Sequence, residues 1–398
     1  MPLLRKIVPA ARVSDESHRV TTFELFFDLV FVFAFTQVTG FMAHEHSVPG
    51  VLQGMIILGL LWWSWVSFSW LANQTHVDEG LMRFGLAAVM VAVFIAALAI
   101  PEAFADFEGG LDGPLVLALS YVVVRVLHVA LYAHAAGSDR PLRRQVAKLT
   151  AAMTLGSALI IAGAVIAGPA QPWFWLAGLV VECGITFFTS RRGDWRVHSA
   201  AHWTERYGLI IILALGESIV AIGVGASREP VSVPILLGAA AGITLSLGLW
   251  WLYFDVTAIA AEHRFAALRG SARASAAVEA YTYLHLPLVA GIVLSALGVE
   301  DVLAHVEDTD AFGALGAAAL FGGTALYLLG STAFWRRVGG EWTTWRLGAT
   351  ALLLALGPVA ARMAPLAALA LVALVVSALV AVESLHHAQR RSAIRTPH

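Results

Sequence analysis

Eight ionisable side chains interrupt stretches that are otherwise apolar: Glu24, Asp28, Arg125, His128, Glu182, Glu217, Asp255 and His285. A charge in hydrocarbon costs at least ~2.5 kcal/mol on insertion scales, so such residues face a polar interior, pair with one another, or mark a path for ions or protons. Glu24 and Asp28 are four apart and share one helix face. Asp28 is about 6 Å deeper, at 1.5 Å per residue. For Glu24 the plain reading is an interfacial charge that reaches water near the inner boundary. Asp28 is harder to dismiss, because Phe26, Phe27, Phe31, Phe33 and Phe35 surround it with apolar bulk.

Arg125 lies near the middle of its segment and needs a counter-ion; Glu182 and Glu217 stand at similar depth. Such a pair can be purely structural, holding helices in register. His128 and Arg206 are further charge partners. Glu217 sits in Leu215-Gly216-Glu217-Ser218, where a small residue and a hydroxyl suit an ion-contacting spot, and Asp255 ends the run Trp250-Trp251-Leu252-Tyr253-Phe254-Asp255. Asp255 reads equally as a solvated vestibule carboxylate. Five acidic groups then face one intramembrane arginine, so some must be protonated, hydrated or cation-bound. The surplus is the physical ground for expecting a proton or cation pathway. Asp28 and Glu217 would be its titrating or ion-contacting groups, with Glu24, Asp255 and Glu182 lining it and Arg125 biasing their protonation.

Other constellations carry less. His44-Glu45-His46, His76-Val77-Asp78 and His386-His387 fall in loops or the tail without the four-ligand spacing of a structural metal site. Gly216 to Gly225 is glycine-spaced but lacks a P-loop lysine and a preceding strand. There is no helical His-Glu-x-x-His, no Gly-x-Ser-x-Gly elbow and no Ser/Lys dyad, so no catalytic set, metal or cofactor is expected. The single Cys183 excludes an intrachain disulfide and a thiolate cluster.

The elements that must position these residues are membrane helices. Hydrophobic residues make up 59% of the 398 and charged residues only 13%, about half the charged share of a soluble domain. Twelve apolar segments are predicted, near residues 22–42, 51–71, 81–104, 115–136, 149–167, 173–189, 207–225, 235–259, 281–297, 312–334, 345–361 and 365–383. Of the 25 Lys and Arg, 22 fall in alternate gaps or, for Arg83 and Arg346, in the first turn beside one; Arg228 and Arg362 fall in the other gaps, and Arg125 lies deep inside a segment. Short cytoplasmic loops carry this excess, which predicts a polytopic inner-membrane protein with both termini in the cytoplasm. No cleavable signal peptide is read. The aromatic cluster Trp62, Trp63, Trp65, Phe68 and Trp70 is expected at the inner boundary, and a long inner loop bearing His263, Arg264, Arg269 and Arg273 has room for an amphipathic surface helix.

The predicted organisation is a cytoplasmic tail (1–20), a six-helix half (21–190), a cytoplasmic linker (191–204), a second six-helix half (205–385) and a basic tail (386–398). Leu61-Trp62-Trp63 recurs as Leu249-Trp250-Trp251, and Asp28 finds Glu217 at nearly the same shift. Two parallel repeats would produce this pattern.

The run Arg19-Val20-Thr21-Thr22-Phe23-Glu24-Leu25-Phe26-Phe27-Asp28-Leu29-Val30-Phe31-Val32-Phe33-Ala34 resembles the signature of the bacterial low temperature requirement protein A family. Similar blocks are Glu205-Arg206-Tyr207-Gly208 through Leu215-Gly216-Glu217-Ser218-Ile219, Trp250 to Asp255, and Tyr281 to Gly291 with His285 and Pro287. The resemblance implies a multi-helix integral membrane protein and supplies no substrate. In architecture alone the chain is also similar to two-repeat, twelve-helix potassium channels; Phe27-Asp28 lacks the serine of their Phe-Ser-Asp motif.

The expectation is thus an all-α polytopic protein that works as a transporter or channel, coupled to a cation or to protons. Two alternatives stay open. One is an intramembrane enzyme acting on a lipid or isoprenoid carrier through Glu24, Asp28, Arg206, Asp255 and His263; the other is a sensor or assembly protein without turnover. Expected partners are membrane lipids and a small solute or cation, with a homo-oligomer possible in principle and no nucleic acid called for.

Overall fold

A computed structural model of the chain describes residues 13–190, 195–227, 230–308 and 310–386. The described residues are helical throughout, without a strand; one isolated bridge joins Val13 to Thr75. The helices are α1 (Thr22–Glu45), α2 (Val48–Gln74), α3 (Gly80–Leu98), α4 (Gly113–Ala136), α5 (Arg140–Ile166), α6 (Gln171–Ser190) and α7 (Ala200–Ala226). They continue with α8 (Val233–Phe254), the short α9 (Thr257–Ala267), α10 (Gly270–Ala304), α11 (Ala314–Arg337), α12 (Thr344–Ala360) and α13 (Pro365–His386). In hydrocarbon every backbone polar group must be satisfied within the segment, and a helix does so.

Among the described residues, eleven helices are long and apolar enough to cross a membrane, counting α8 and α9 together. The eleventh predicted span, α12, has 17 residues and falls short of that length. Several predicted boundaries move. α7 begins at Ala200, not Tyr207, because Ser199 caps it: the Ser199 hydroxyl accepts from His202 N at 3.1 Å, and its carbonyl accepts from Trp203 N. The cap brings Arg206 inside a helix. α10 runs on to Ala304, past the predicted end at residue 297, and takes in Glu300 and Asp301; His44 and Glu45, read as loop residues, finish α1. The inner loop after α8 is itself largely helical. Arg228, the run 191–194, His387 and the basic tail lie outside the described residues.

Two compact units divide the chain, one of residues 1–41, 52–206 and 268–278, the other of 42–51, 207–267 and 279–398. In the first unit the aromatic cluster of α2 is core: Trp62, Trp63, Trp65, Phe68 and Trp70 are all buried. These rings face the interior of the unit and not its surface: Trp65 donates to Asp28, Trp63 faces Glu182, and Trp62, Phe68 and Trp70 pack on other aromatic rings. In the second unit, α10 and α11 pack at glycine contacts. A methyl on Gly291 would stand 2.5 Å from Tyr327 N, and one on Gly298 2.6 Å from Leu320 N. Both helices carry a π-turn, Ala277–Tyr283 and Ala318–Gly322.

Candidate functional site

The first unit holds two buried charge clusters, arranged on opposite faces of α2. Trp65, Ser69 and Asn73 recur every fourth residue and form one face; Trp63 and Ser67 are rotated from them by about 200° for each two-residue step.

On the first face, Asp28 of α1 is completely buried. Its Oδ1 accepts from Trp65 Nε1 at 2.9 Å and pairs with Arg206 Nη2 at 3.0 Å, while Oδ2 accepts from Arg206 Nη1 at 3.0 Å. A two-pronged guanidinium–carboxylate contact of this kind adds geometric specificity to charge. Arg206 also donates to the Glu24 carbonyl at 3.3 Å and Ser69 Oγ at 3.4 Å, and its guanidinium lies 5.3 Å from the Trp65 ring.

Glu24 is buried and does not reach water. Its Oε1 accepts from the Thr21 backbone N–H at 3.2 Å, and Thr21 Oγ1 accepts from Glu24 N at 3.3 Å. The two residues form a capping box, Thr-x-x-Glu, at the start of α1. Oε2 accepts from His202 Nε2 at 2.8 Å and lies 3.7 Å from Arg206 Nη1. The His202 tautomer follows from its other neighbour. Asn73 accepts from His198 N at 2.7 Å through Oδ1 and donates to the Ser199 carbonyl at 2.8 Å through Nδ2. That orientation leaves Nδ2 to donate to His202 Nδ1 at 3.2 Å, so the ring proton sits on Nε2 and points at Glu24.

Outside the spans, His18 stacks on His202 with ring centroids 4.6 Å apart and meets His76 at 4.4 Å. Burial, reinforced by the neighbouring His202, lowers its pKa to about 4, against a smaller opposing pull from Glu24. His18, Glu24 and His202 bring three ligand-type atoms within 4.8 Å. They do not fit a metal as placed. The planes of His18 and His202 are only 22° apart, and an ion about 2.0–2.1 Å from each nitrogen cannot lie in two nearly parallel stacked planes. The Nε2 proton of His202 occupies the same position.

On the second face of α2, Arg125 of α4 pairs through Nη2 with Glu182 Oε2 at 2.9 Å and donates through Nη1 to Ser67 Oγ at 2.6 Å. Tyr121 donates to the same carboxylate oxygen at 3.2 Å, and Trp63 faces it. Glu182 packs on the open face of Gly156, where an added methyl would come 2.7 Å from Oε1. Glu182, one of the two counter-ions expected for Arg125, pairs with it. His128 lies beside Arg125 and the Ser67 carbonyl.

In the second unit, Glu217 and Asp255 are buried, and His285 is enclosed by Tyr207, Tyr253, Tyr281 and Phe334. His285 Nδ1 meets the Ala280 carbonyl of the π-turn at 3.1 Å, so Nε2 accepts from the Tyr253 hydroxyl at 2.8 Å. Sequence reasoning missed Arg346, which it left at the end of a span. This side chain is buried, bonds Glu383 through Nε and Nη2 at 2.8 Å each, and reaches Ser331 Oγ and the Leu252 carbonyl. The basic flank of a membrane helix conceals such a residue, because topology alone accounts for an arginine there.

The family model described as Bacterial low temperature requirement A protein (LtrA) matches residues 19–381. An uncharacterized protein of Rhizobium meliloti (strain 1021) is 29% identical over 320 residues, which are 77% of this chain and 75% of that one. No solved structure matches the chain.

Proposed function

We propose a proton- or cation-coupled transport function for this protein, whose chain belongs to the bacterial low temperature requirement A (LtrA) family. One observation supports it above the rest. Glu24 and Asp28 both face Arg206, with His202 held as a neutral donor, so a buried cluster contains two carboxylates against one guanidinium. An unbalanced charge away from water is costly. A proton or cation shared at Glu24 and Asp28 removes the imbalance, and its exchange is the elementary event of coupled transport. Glu182 with Arg125 and His128, and Glu217 and Asp255 in the second unit, extend the set of groups available to such a path.

The Lys/Arg asymmetry supports placement in the bacterial inner membrane with both termini cytoplasmic. The recurrence of Leu-Trp-Trp supports two parallel six-helix repeats, 21–190 and 205–385, and a homo-oligomer is compatible with this architecture.

The test is flux in liposomes, read with pH- and potassium-sensitive dyes, for the native protein and for Glu24→Gln. Glutamine keeps the capping box and the Asp28–Arg206 pair and removes the surplus charge, at the loss of the bond from His202, whose Nε2 proton then meets an amide NH2. Flux in the native protein, at least tenfold lower in Glu24→Gln that still unfolds cooperatively in detergent, is the expected result. Equal flux in both removes Glu24 from the path.

One observation favours the enzyme instead. A cavity of about 380 Å³ in the second unit is lined by His263, Arg264, Glu341, Thr343, Arg346 and Glu383, polar enough to hold a lipid headgroup. Absence of flux under any proton or potassium gradient, together with turnover of an added phospholipid or isoprenoid phosphate, would establish that reading.

A further inference from the structure

Arg125, His128, Tyr132 and Ala136 are spaced by three, four and four along α4 and lie on one face of it. All four are buried. The face is continuous: the rings of His128 and Tyr132 are 5.5 Å apart, and Tyr132 meets Trp195 edge-on at 5.7 Å. At its end, Ala136 lines a cavity of about 320 Å³ with His134, Asp139, Gln74, Arg196 and His198. The cavity and the Arg125–Glu182 pair are thus separated by eleven residues of helix, about 16 Å.

The polar atoms along this face are short of partners. Arg125 Nε, the Tyr132 hydroxyl, Trp195 Nε1 and at least one ring nitrogen of His128 are buried with no hydrogen-bond partner. Native proteins do not leave such groups bare; buried waters with two to four partners satisfy them. Hydrocarbon makes the demand stricter. Three of the four residues are donors, which calls for an acceptor. A small anion has no net attraction here, because Glu182 already neutralises Arg125 at 2.9 Å. Water does not need one.

We propose that this face of α4 holds a file of water molecules, a half-channel that joins the cavity beside Ala136 to the Arg125–Glu182 pair. In purpose it rests on the transport reading, for which it is the aqueous access to a charge pair otherwise enclosed by Trp63, Ser67 and Gly156. Its test does not depend on transport.

The native protein in membranes is labelled by radiolytic hydroxyl radicals, which form from nearby water. Tyr132 and Tyr327 are equally buried, but the Tyr327 hydroxyl donates to the Leu249 carbonyl at 2.7 Å. Tyr132 is expected to label at least fivefold faster than Tyr327; equal protection overturns the proposal. A second measurement replaces the single Cys183 with alanine and places single cysteines on α4. A small charged methanethiosulfonate should modify cysteine at 128, 132 and 136 and spare 119, 123 and 126, where Leu119, Val123 and Val126 point outward. Reaction at 136 alone, in variants that keep the native melting temperature, also overturns it. Labelling without flux leaves the file standing and removes the transport reading; flux without labelling does the reverse.

Discussion

Arg206 shows how one side chain ties the first cluster together. It satisfies Asp28 through two bonds, approaches Glu24, and stands beside the Trp65 ring. Asp28→Asn leaves that guanidinium without its main partner, and breaking a buried pair in this way costs about 3–5 kcal/mol. A marked fall in melting temperature in detergent is expected for Asp28→Asn, largely recovered in the double variant Asp28→Asn, Arg206→Gln; no recovery would mean that Arg206 is balanced elsewhere. For this reason Glu24→Gln, which leaves the Asp28–Arg206 pair in place, separates function from folding better than Asp28→Asn does. His18 contributes a pH dependence of definite sign. Its folded pKa of about 4 lies below the ordinary histidine value of 6.5, so the unfolded chain binds the extra proton between those values. Stability from this group is full above about pH 6.5 and declines toward pH 4, by roughly 3 kcal/mol at most. Melting temperature should fall from pH 7 to pH 5, and His18→Gln should flatten the slope. The shared face of Glu24 and Asp28 was legible from their spacing, and the capping box was present as Thr21-Thr22-Phe23-Glu24. Arg206 was expected among the charge partners, but not as the group that joins both carboxylates, because it closes a basic run that topology alone explains and α7 was read as starting at Tyr207.

Among the elements, α2 does the partitioning, with Trp65, Ser69 and Asn73 turned to one cluster and Ser67 to the other. Its aromatic residues were visible in the sequence but read as a membrane belt, since periodicity cannot say whether a tryptophan meets lipid headgroups or a carboxylate. Each of the twelve apolar segments falls on a helix, α1 to α8 and α10 to α13; the ends moved wherever a cap or a continuing turn, as at Ser199 and Ala304, overrode composition. Close packing of α10 and α11 was not legible, because a glycine in a membrane helix has many uses. Gly291→Ala forces a methyl against the Tyr327 and Gly323 backbone, and overpacking of this kind costs about 1–3 kcal/mol. Gly216→Ala, with nothing within 4 Å of the new methyl, should leave the melting temperature unchanged or slightly raised. Equal effects at both positions would contradict the packing described for α10 and α11.

At the scale of the whole molecule, the alternation of basic gaps carries the topology. A reporter active only in the cytoplasm, fused after His386 or inserted after Gly137, should be active, and one inserted after Gly109 should be silent; activity after Gly109 would invert the orientation. α12 carries a consequence of a different kind. Its 17 residues span about 26 Å, against roughly 30 Å of hydrocarbon, and Trp345, Leu352, Leu354 and Val359 are exposed along it. Lipid beside this helix must thin to meet it, at a cost of fractions of a kcal/mol per Å of mismatch. Cooling orders acyl chains and thickens a bilayer. Hydrophobic mismatch at α12 therefore grows as temperature falls, while the longer helices absorb the same change by tilting less.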